Sequence, residues 1–367
     1  PVRRYFIPER HSGSNRSRRI SLENHGDGVI RARSIKGSLS CPGEGWLALG
    51  GVELLSGSLV LNQGILECYE YAADPAWDFV SGLCQIQFGA RRIKDQALVK
   101  TTKGKRIDLN EVILIGGRND SNYYHFIIEY LPRVLSIPKS INKDVPVVIS
   151  SSVPKSGLQA LQKLTKREVI QIDPKKVYRI QKLHVSAPVA QVLDTTTVPW
   201  ADGVFVNFES LYAFRQECLS LINTVSIPSR RIFLKRDSGH RNLINGEKLE
   251  NIAKELGYEI IDVVGMGWEE QVSLFSSAEI VVGAGGAVMA NYIFLPKNAK
   301  VLSLTSEYLA GFVLPAYLTA VAGASFTYLT GRAKVTKFSR SNTQYMMHSA
   351  FTIKESSFRN ALINLSR

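Results

Sequence analysis

The sequence predicts an α/β protein of two Rossmann-like halves with a β-rich N-terminal subdomain. Three observations carry this. From Glu111 onward, short apolar runs alternate with segments of helical period, the pattern of a mostly parallel sheet covered by helices. A second, more regular series of the same kind begins near Arg230. Before both, from Gly28 to about Leu98, short apolar runs such as GWLALGG, GSLVLNQGILECYEY and GLCQIQFG are broken by Gly, Pro and Asn, as short strands are.

The expected organisation is a polar arm over 1–28, rich in Arg, Ser, Asn and Gly, then an N-terminal domain over 29–225. In that domain the β-rich lead-in runs to about residue 100 and a Rossmann-like part follows. A C-terminal Rossmann-like domain covers 226–340, after a boundary near Pro228, and 341–367 ends in a helix, KESSFRNALINLSR. In the first half VILIGG reads as a buried strand. NYYHFIIEYLPRVLSI reads as a helix with Phe126, Ile127, Tyr130, Leu131, Val134 and Leu135 on one face. Pro132 should end or kink it near Leu131. PVVISS, SGLQALQKL, EVIQI, QKLHVSAP and FESLYAFRQECLSLI continue the series. In the second half RIFLK, YEIIDVV, EIVVG and KVLSL are the strands. NGEKLENIAKELG is a helix with Asn245 as N-cap and Gly257 at its stop, and WEEQVSLFSSA is another. Two such halves place a ligand between them, at the carboxyl ends of the strands.

Among the 367 residues, 45% are hydrophobic and 21% charged, the composition of a folded globular chain. The formal net charge of +13 favours anionic partners such as phosphorylated ligands or an acidic membrane face. With no Lys/Arg run interleaved with aromatics, nucleic acid is not an expected partner. Cys41, Cys68, Cys84 and Cys218 have no zinc spacing and read as separate thiols of a reducing compartment. The basic, polar opening is unlike a secretory leader, so a cytoplasmic location is expected. The uncharged stretch from Tyr308 to Gly331 contains Gly311, Pro315 and Gly323. It reads as a buried helix and strand rather than a membrane span.

Three places could carry chemistry. The loop Gly283–Ala287, with Gly285 and Gly286 at its centre, enters a helix that holds Asn291. It is either a phosphate cradle, with backbone amides and a helix N-terminus facing an anion, or a plain strand-to-helix turn. It is not a Walker loop, and Val288 and the missing acidic residue make a dinucleotide loop a poor fit. FLKRDSGHR sets Lys235, Arg236 and Arg241 just past a strand end, where guanidinium groups can clamp a diphosphate. His125, Glu129 and Arg133 lie four apart as a polar stripe. A near-neutral His oriented by a carboxylate can take a proton from a sugar hydroxyl; a His merely hydrogen-bonded at a helix start fits the pattern equally. No Asp-x-Asp or metal-spaced cluster occurs, so no metal is expected. The missing G-x-S-x-G argues against an α/β-hydrolase.

Taken together, NYYHFIIEYLPR (Asn122 to Arg133) and the stretch from Arg231 to Leu304 resemble the paired signatures of the family 61 glycosyltransferases. The second signature comprises the turn after RIFLKR, Arg241 to Asn245, Glu270-Gln271 followed by LF, EIVVG, and the residues around Ala287, Asn291 and Phe294. The resemblance implies a GT-B fold and an inverting, metal-independent transfer from a nucleotide-sugar, UDP-linked, with no further cofactor. It implies a glycan or lipid-linked acceptor in bacterial capsule or exopolysaccharide assembly, at the inner face of an anionic membrane that suits the positive charge. On that basis His125 is the general base, Glu129 orients it, and Asp120 and Glu129 are rival bases. Asn122, Tyr124 and Arg133 face the acceptor. Arg236, Arg241, Asn245, Glu270, Gly285, Gly286, Ala287 and Asn291 bind the donor. The chain departs from the family pattern at Gly285, Val288, Gly246 and Ser303. These departures motivate one alternative, a non-catalytic nucleotide-sugar or polysaccharide-binding protein; a sugar-nucleotide epimerase of the same fold is another.

Overall fold

The computed structural model describes residues 2–6, 19–24, 29–35, 45–62, 65–67, 90–93, 96–100, 106–117, 119–186, 189–192, 204–222, 227–236, 241–335 and 346–366. The chain forms two compact units, Pro1–Arg18 with Gly37–Phe214, and Arg19–Lys36 with Arg215–Arg367.

The early strands are β1 (Val2–Phe6), β2 (Arg19–Asn24), β3 (Val29–Ile35), β4 (Trp46–Leu55), β5 (Leu59–Asn62), β6 (Ile65–Glu67), β7 (Ala90–Ile93) and β8 (Gln96–Lys100). The α/β series of the first unit adds β9 (Ile107–Leu114), β10 (Val147–Ser150), β11 (Val169–Ile172) and β12 (Tyr178–Ser186). Ten strands make one sheet in the order β11-β10-β9-β12-β4-β5-β6-β1-β8-β7. The first four are parallel. Val112–Ile115 and Val147–Ile149 are fully buried, as expected of strands covered on both faces.

The sequence analysis set the β-rich lead-in apart as a subdomain, whereas here it extends the same sheet. β4 lies antiparallel on β12 from Trp46↔Ser186 to Leu54↔Tyr178. The cause is a shared core: Val52 and Leu54 pack with Val112, Leu114, Leu183 and Val185. GLCQIQFG, Cys41, Cys68 and Cys84 lie outside the described residues; Cys218 is a buried free thiol whose pKa burial pushes up. Two short strands, β13 (Ala190–Val192) and β14 (Val204–Val206), pair separately.

The helices of this unit are α1 (Tyr123–His125), continued by a π turn over Phe126–Tyr130 and a 3-10 turn over Leu131–Ser136, and α2 (Lys155–Leu164). The division between the units falls within α3 (Phe208–Ser220).

The second unit is built on β15 (Arg230–Leu234), β16 (Glu259–Ile261), β17 (Ala278–Ala284), β18 (Lys300–Ser306), β19 (Ser325–Ala333) and the short β20 (Phe351–Thr352). Its sheet runs β16-β15-β17-β18-β19-β3-β2, with β20 also on β19. The first five strands are parallel. Residues 19–24, expected in a polar arm, form β2, which with β3 makes an antiparallel ribbon on β19.

Helices α4 (Gly246–Glu255), α5 (Trp268–Ser276), α6 (Leu314–Ala322) and α7 (Glu355–Leu365) complete this unit. Leu249, Ile252 and Ala253 form the buried stripe of α4, and Gly257 turns the chain at φ +81°. The uncharged Tyr308–Gly331 stretch holds α6 and most of β19, largely buried. Among the described residues no helix is long and apolar enough to cross a membrane.

Candidate functional site

Each unit holds one constellation, and each is built where its parallel strands end. In the first unit, β9 runs into Gly116 and Gly117. A Cβ on Gly116 would lie 2.9 Å from an Asp120 carboxylate oxygen, so this glycine is required by the close approach of Asp120. Asp120 is 6% exposed and accepts from the Gly117 amide at 3.4 Å. Asn122 caps the helix that follows, accepting from the Tyr124 amide at 2.9 Å.

That helix is not regular. Leu131 N–H reaches back to the Phe126 carbonyl, a π-type bond. Pro132 has no N–H to give Ile128, so the helix widens and then tightens into the 3-10 turn. The apolar face predicted from the sequence is otherwise realised, with Phe126 to Leu131 buried and Val134 with them, while Leu135 is exposed.

The widened turn carries a His–carboxylate pair. His125 Nδ1 lies 2.8 Å from Glu129 Oε1, with side-chain exposures of 21% and 1%. Tyr124 meets the imidazole edge-on at 5.8 Å between centroids. With Nδ1 engaged by the carboxylate, Nε2 is the nitrogen suited to receive a proton. Arg133, expected to face an acceptor, is instead fully buried. It donates to the Glu129 carbonyl at 3.0 Å and the Ser186 carbonyl at 3.2 Å, and its guanidinium lies over the Tyr130 ring. Its place is that of a brace tying the π turn to the end of β12.

In the second unit, β15 and β17 run side by side so closely that a Cβ on Gly283 would meet Leu234 Cβ at 2.8 Å. Past their ends, Arg236 Nη1 donates to the Gly285 carbonyl. A Cβ on Gly286 would overlap that same guanidinium. Gly286 has extended backbone, φ −176°, so contact rather than conformation demands glycine there. The segment from Ala287 to Phe294 is a 3-10 helix.

Burial, and secondarily Arg241, push the Arg236 pKa down to about 10. Arg241 is also lowered, by burial. Holding two largely buried cations near each other costs desolvation, and Arg241 adds repulsion at Arg236. Among the described residues the Arg241 Nε and the buried Ser303 and Ser306 hydroxyls have no hydrogen-bond partner. The Ser303 Oγ lies 3.9 Å from the place of a Cβ on Gly285.

The other residues assigned to the donor have structural partners. Asn291 is fully buried and donates to Gln271 at 2.8 Å, and Gln271 donates to the Met266 carbonyl at 3.1 Å. The Asn245 side chain does not cap α4 but pairs with the backbone of Ile353. Glu270 accepts from the Gly267 amide at 2.6 Å and lines a groove of about 560 Å³ with Ile261, Met266 and Leu274. That lining includes neither arginine and no glycine of the loop.

Sequence reasoning missed the part that 346–353 and Gln271 play, because main-chain pairing and a buried amide relay leave no motif. Among the described residues no group of three or more His, Cys, Asp and Glu could hold a metal ion.

No curated protein matches the chain significantly. The sequence profile of the family described as Glycosyltransferase 61 matches residues 123–302, which takes in the His125–Glu129 pair, the arginine turn and the glycine loop. Residues 123–302 thus carry a glycosyltransferase family 61 domain.

Proposed function

We propose that the protein transfers a sugar, with inversion and without a metal, from a UDP-linked donor to a glycan or lipid-linked acceptor in bacterial surface polysaccharide synthesis. The observation that carries the donor side is the pair Arg236 and Arg241, driven below their usual pKa by burial and, for Arg236, by mutual repulsion. A diphosphate can accept from both guanidinium groups at once. The Gly285 and Gly286 loop, held by Arg236, presents main chain to the same anion.

In this reading His125 Nε2 takes the acceptor hydroxyl proton as the oxygen attacks the anomeric carbon. The bond from that carbon to the diphosphate breaks, and Arg236 and Arg241 hold the departing charge. Glu129 orients the imidazole. Asn122 and Tyr124 stand beside it on the acceptor side. Asn291, Asn245 and Glu270 act on the donor site by holding its supports. The +13 charge suits an acceptor at the inner face of an anionic membrane.

The test is a thermal-shift panel of nucleoside diphosphates and their sugars, because donor binding adds RT ln(1 + [L]/Kd), about 2.7 kcal/mol at a hundredfold excess over Kd. Stabilisation by UDP or a UDP-sugar supports the reading. No shift with any nucleoside diphosphate overturns it.

A further inference from the structure

Residues 241–245 form a short turn that leads into α4. Arg241 itself is left-handed, φ +57°, a strained conformation for a side chain of its size. What fixes it comes from the far end of the chain. Arg241 N–H donates to the His348 carbonyl at 3.0 Å, Phe351 N–H to the Asn242 carbonyl at 3.0 Å, and Ile244 N–H to the Phe351 carbonyl at 2.8 Å. The Asn245 carboxamide closes the clasp: Nδ2 donates to the Ile353 carbonyl at 2.8 Å and Oδ1 accepts from the Ile353 amide at 3.2 Å.

The segment doing this is anchored twice over. Phe351 and Ile353 are in the core with Leu249, Ile252 and Phe358. Its main chain also pairs with β19, Arg332↔Thr352 and Ala333↔Phe351. It passes so close over Gly331 that a Cβ there would overlap the Thr352 carbonyl. All of it lies beyond the residues matched by the family, 123–302.

We propose that Met346–Ile353 is a positioning strap that holds Arg241 in its left-handed conformation for a diphosphate ligand, with Asn245 as the positioning residue that fastens it. The ligand half of this rests on the donor-site reading above; the clasp itself does not.

The test uses the full chain, wild type against Asn245→Ala, Asn245→Asp and Gly331→Ala. Two quantities are measured: amide hydrogen exchange over residues 241–245, and inorganic pyrophosphate affinity by calorimetry. Asn245→Ala is expected to speed exchange in that turn and weaken pyrophosphate binding about tenfold. Asn245→Asp keeps the acceptor for the Ile353 amide and should recover part of both. Gly331→Ala, which lifts the strap without touching the turn, should reproduce the Asn245→Ala result. A merely structural role would not give this graded rescue of affinity. Unchanged exchange in both Asn245→Ala and Gly331→Ala overturns the strap. Faster exchange with unchanged affinity overturns its link to the ligand. If wild type binds no pyrophosphate, the anion reading falls and the ligand half of the proposal with it, while exchange still decides the clasp.

Discussion

Arg236 occupies the space that a side chain on Gly286 would need. The loop and the arginine are therefore one device, and the glycine is there for the guanidinium. Gly286→Ala should displace Arg236 without straining the backbone, whose φ of −176° suits any residue. The expected outcome is a UDP affinity lowered about tenfold, which is about 1.4 kcal/mol, with a melting temperature near wild type. Unchanged affinity by calorimetry would separate the loop from the arginine.

Arg236 and Arg241 also predict a trade between stability and binding. Burial disfavours both charges in the folded state, and Arg241 repels that of Arg236, so neutralising Arg236 should remove its penalty. Arg236→Gln is expected to raise the melting temperature of the ligand-free protein by about 2–4 °C, the effect of roughly 1 kcal/mol in a unit of this size. The same variant should lose most of the stabilisation by UDP. The penalty on Arg236 is complete below its folded pKa of about 10 and is relieved only as pH rises above that value. The gain should therefore be flat across neutral pH. A variant less stable than wild type throughout that range would refute this account.

The His125–Glu129 pair is expected to carry the proton transfer. With a competent donor and acceptor, His125→Ala should lower kcat by about a hundredfold or more. Glu129→Gln, nearly isosteric in its buried place, should lower kcat by about tenfold while leaving donor affinity intact. Full activity in His125→Ala would move the base assignment to Asp120 or Glu129.

Phe126 leaves no room beside Gly157: a Cβ there would come within 2.7 Å of the ring. Gly157→Ala on α2 should therefore push on the π turn that carries His125. A destabilisation of about 1–3 kcal/mol is expected, as for an overpacked core, and kcat should fall more than KM rises. Urea unfolding and steady-state kinetics on one preparation would check both.

Glu111 predicts an acid-sensitive cluster in the first unit. Hydrogen bonds from Lys182, at 2.9 Å, and then His184, at 2.7 Å, hold its carboxyl below the ordinary 4.5. Since the folded pKa lies below the unfolded one, the stabilisation is present above the unfolded value. It is lost as pH falls through the folded one. Melting temperatures of wild type and Glu111→Gln should thus converge as pH falls below the ordinary carboxylate range. Parallel curves would show that the cluster contributes nothing.

Much of the second unit was legible because each strand is a continuous apolar run and each helix keeps its period; EIVVG and NGEKLENIAKELG became β17 and α4 almost to the residue. Pro132 likewise marked the change of helix type at Leu131. The lead-in was less legible. The short run around Val52 and Leu54 states that a strand is buried, but not that it shares a core with β12. The site divides in the same way. His125 and Glu129 were readable from a spacing of four. Arg133, at the same spacing, turned inward because the Glu129 and Ser186 carbonyls and the Tyr130 ring were there to receive it. Asn245 looked like a cap, yet its carboxamide went to Ile353, a partner 108 residues away that no local pattern announces.

The ribbon of β2 and β3 has a consequence for biosynthesis. Its pairing of Ile30 with Tyr328 and Val29 with Leu329 joins residues some three hundred positions apart on one side of the second unit's sheet. A nascent chain emerges at a handful of residues per second, so these early strands must wait for most of translation before their neighbour exists. During that interval the ribbon has an open edge, and β19 meets the same exposure in any product that lacks the first forty or so residues. Expression trials that trim the N-terminus as a dispensable arm should therefore yield insoluble protein, however complete the catalytic segment they retain.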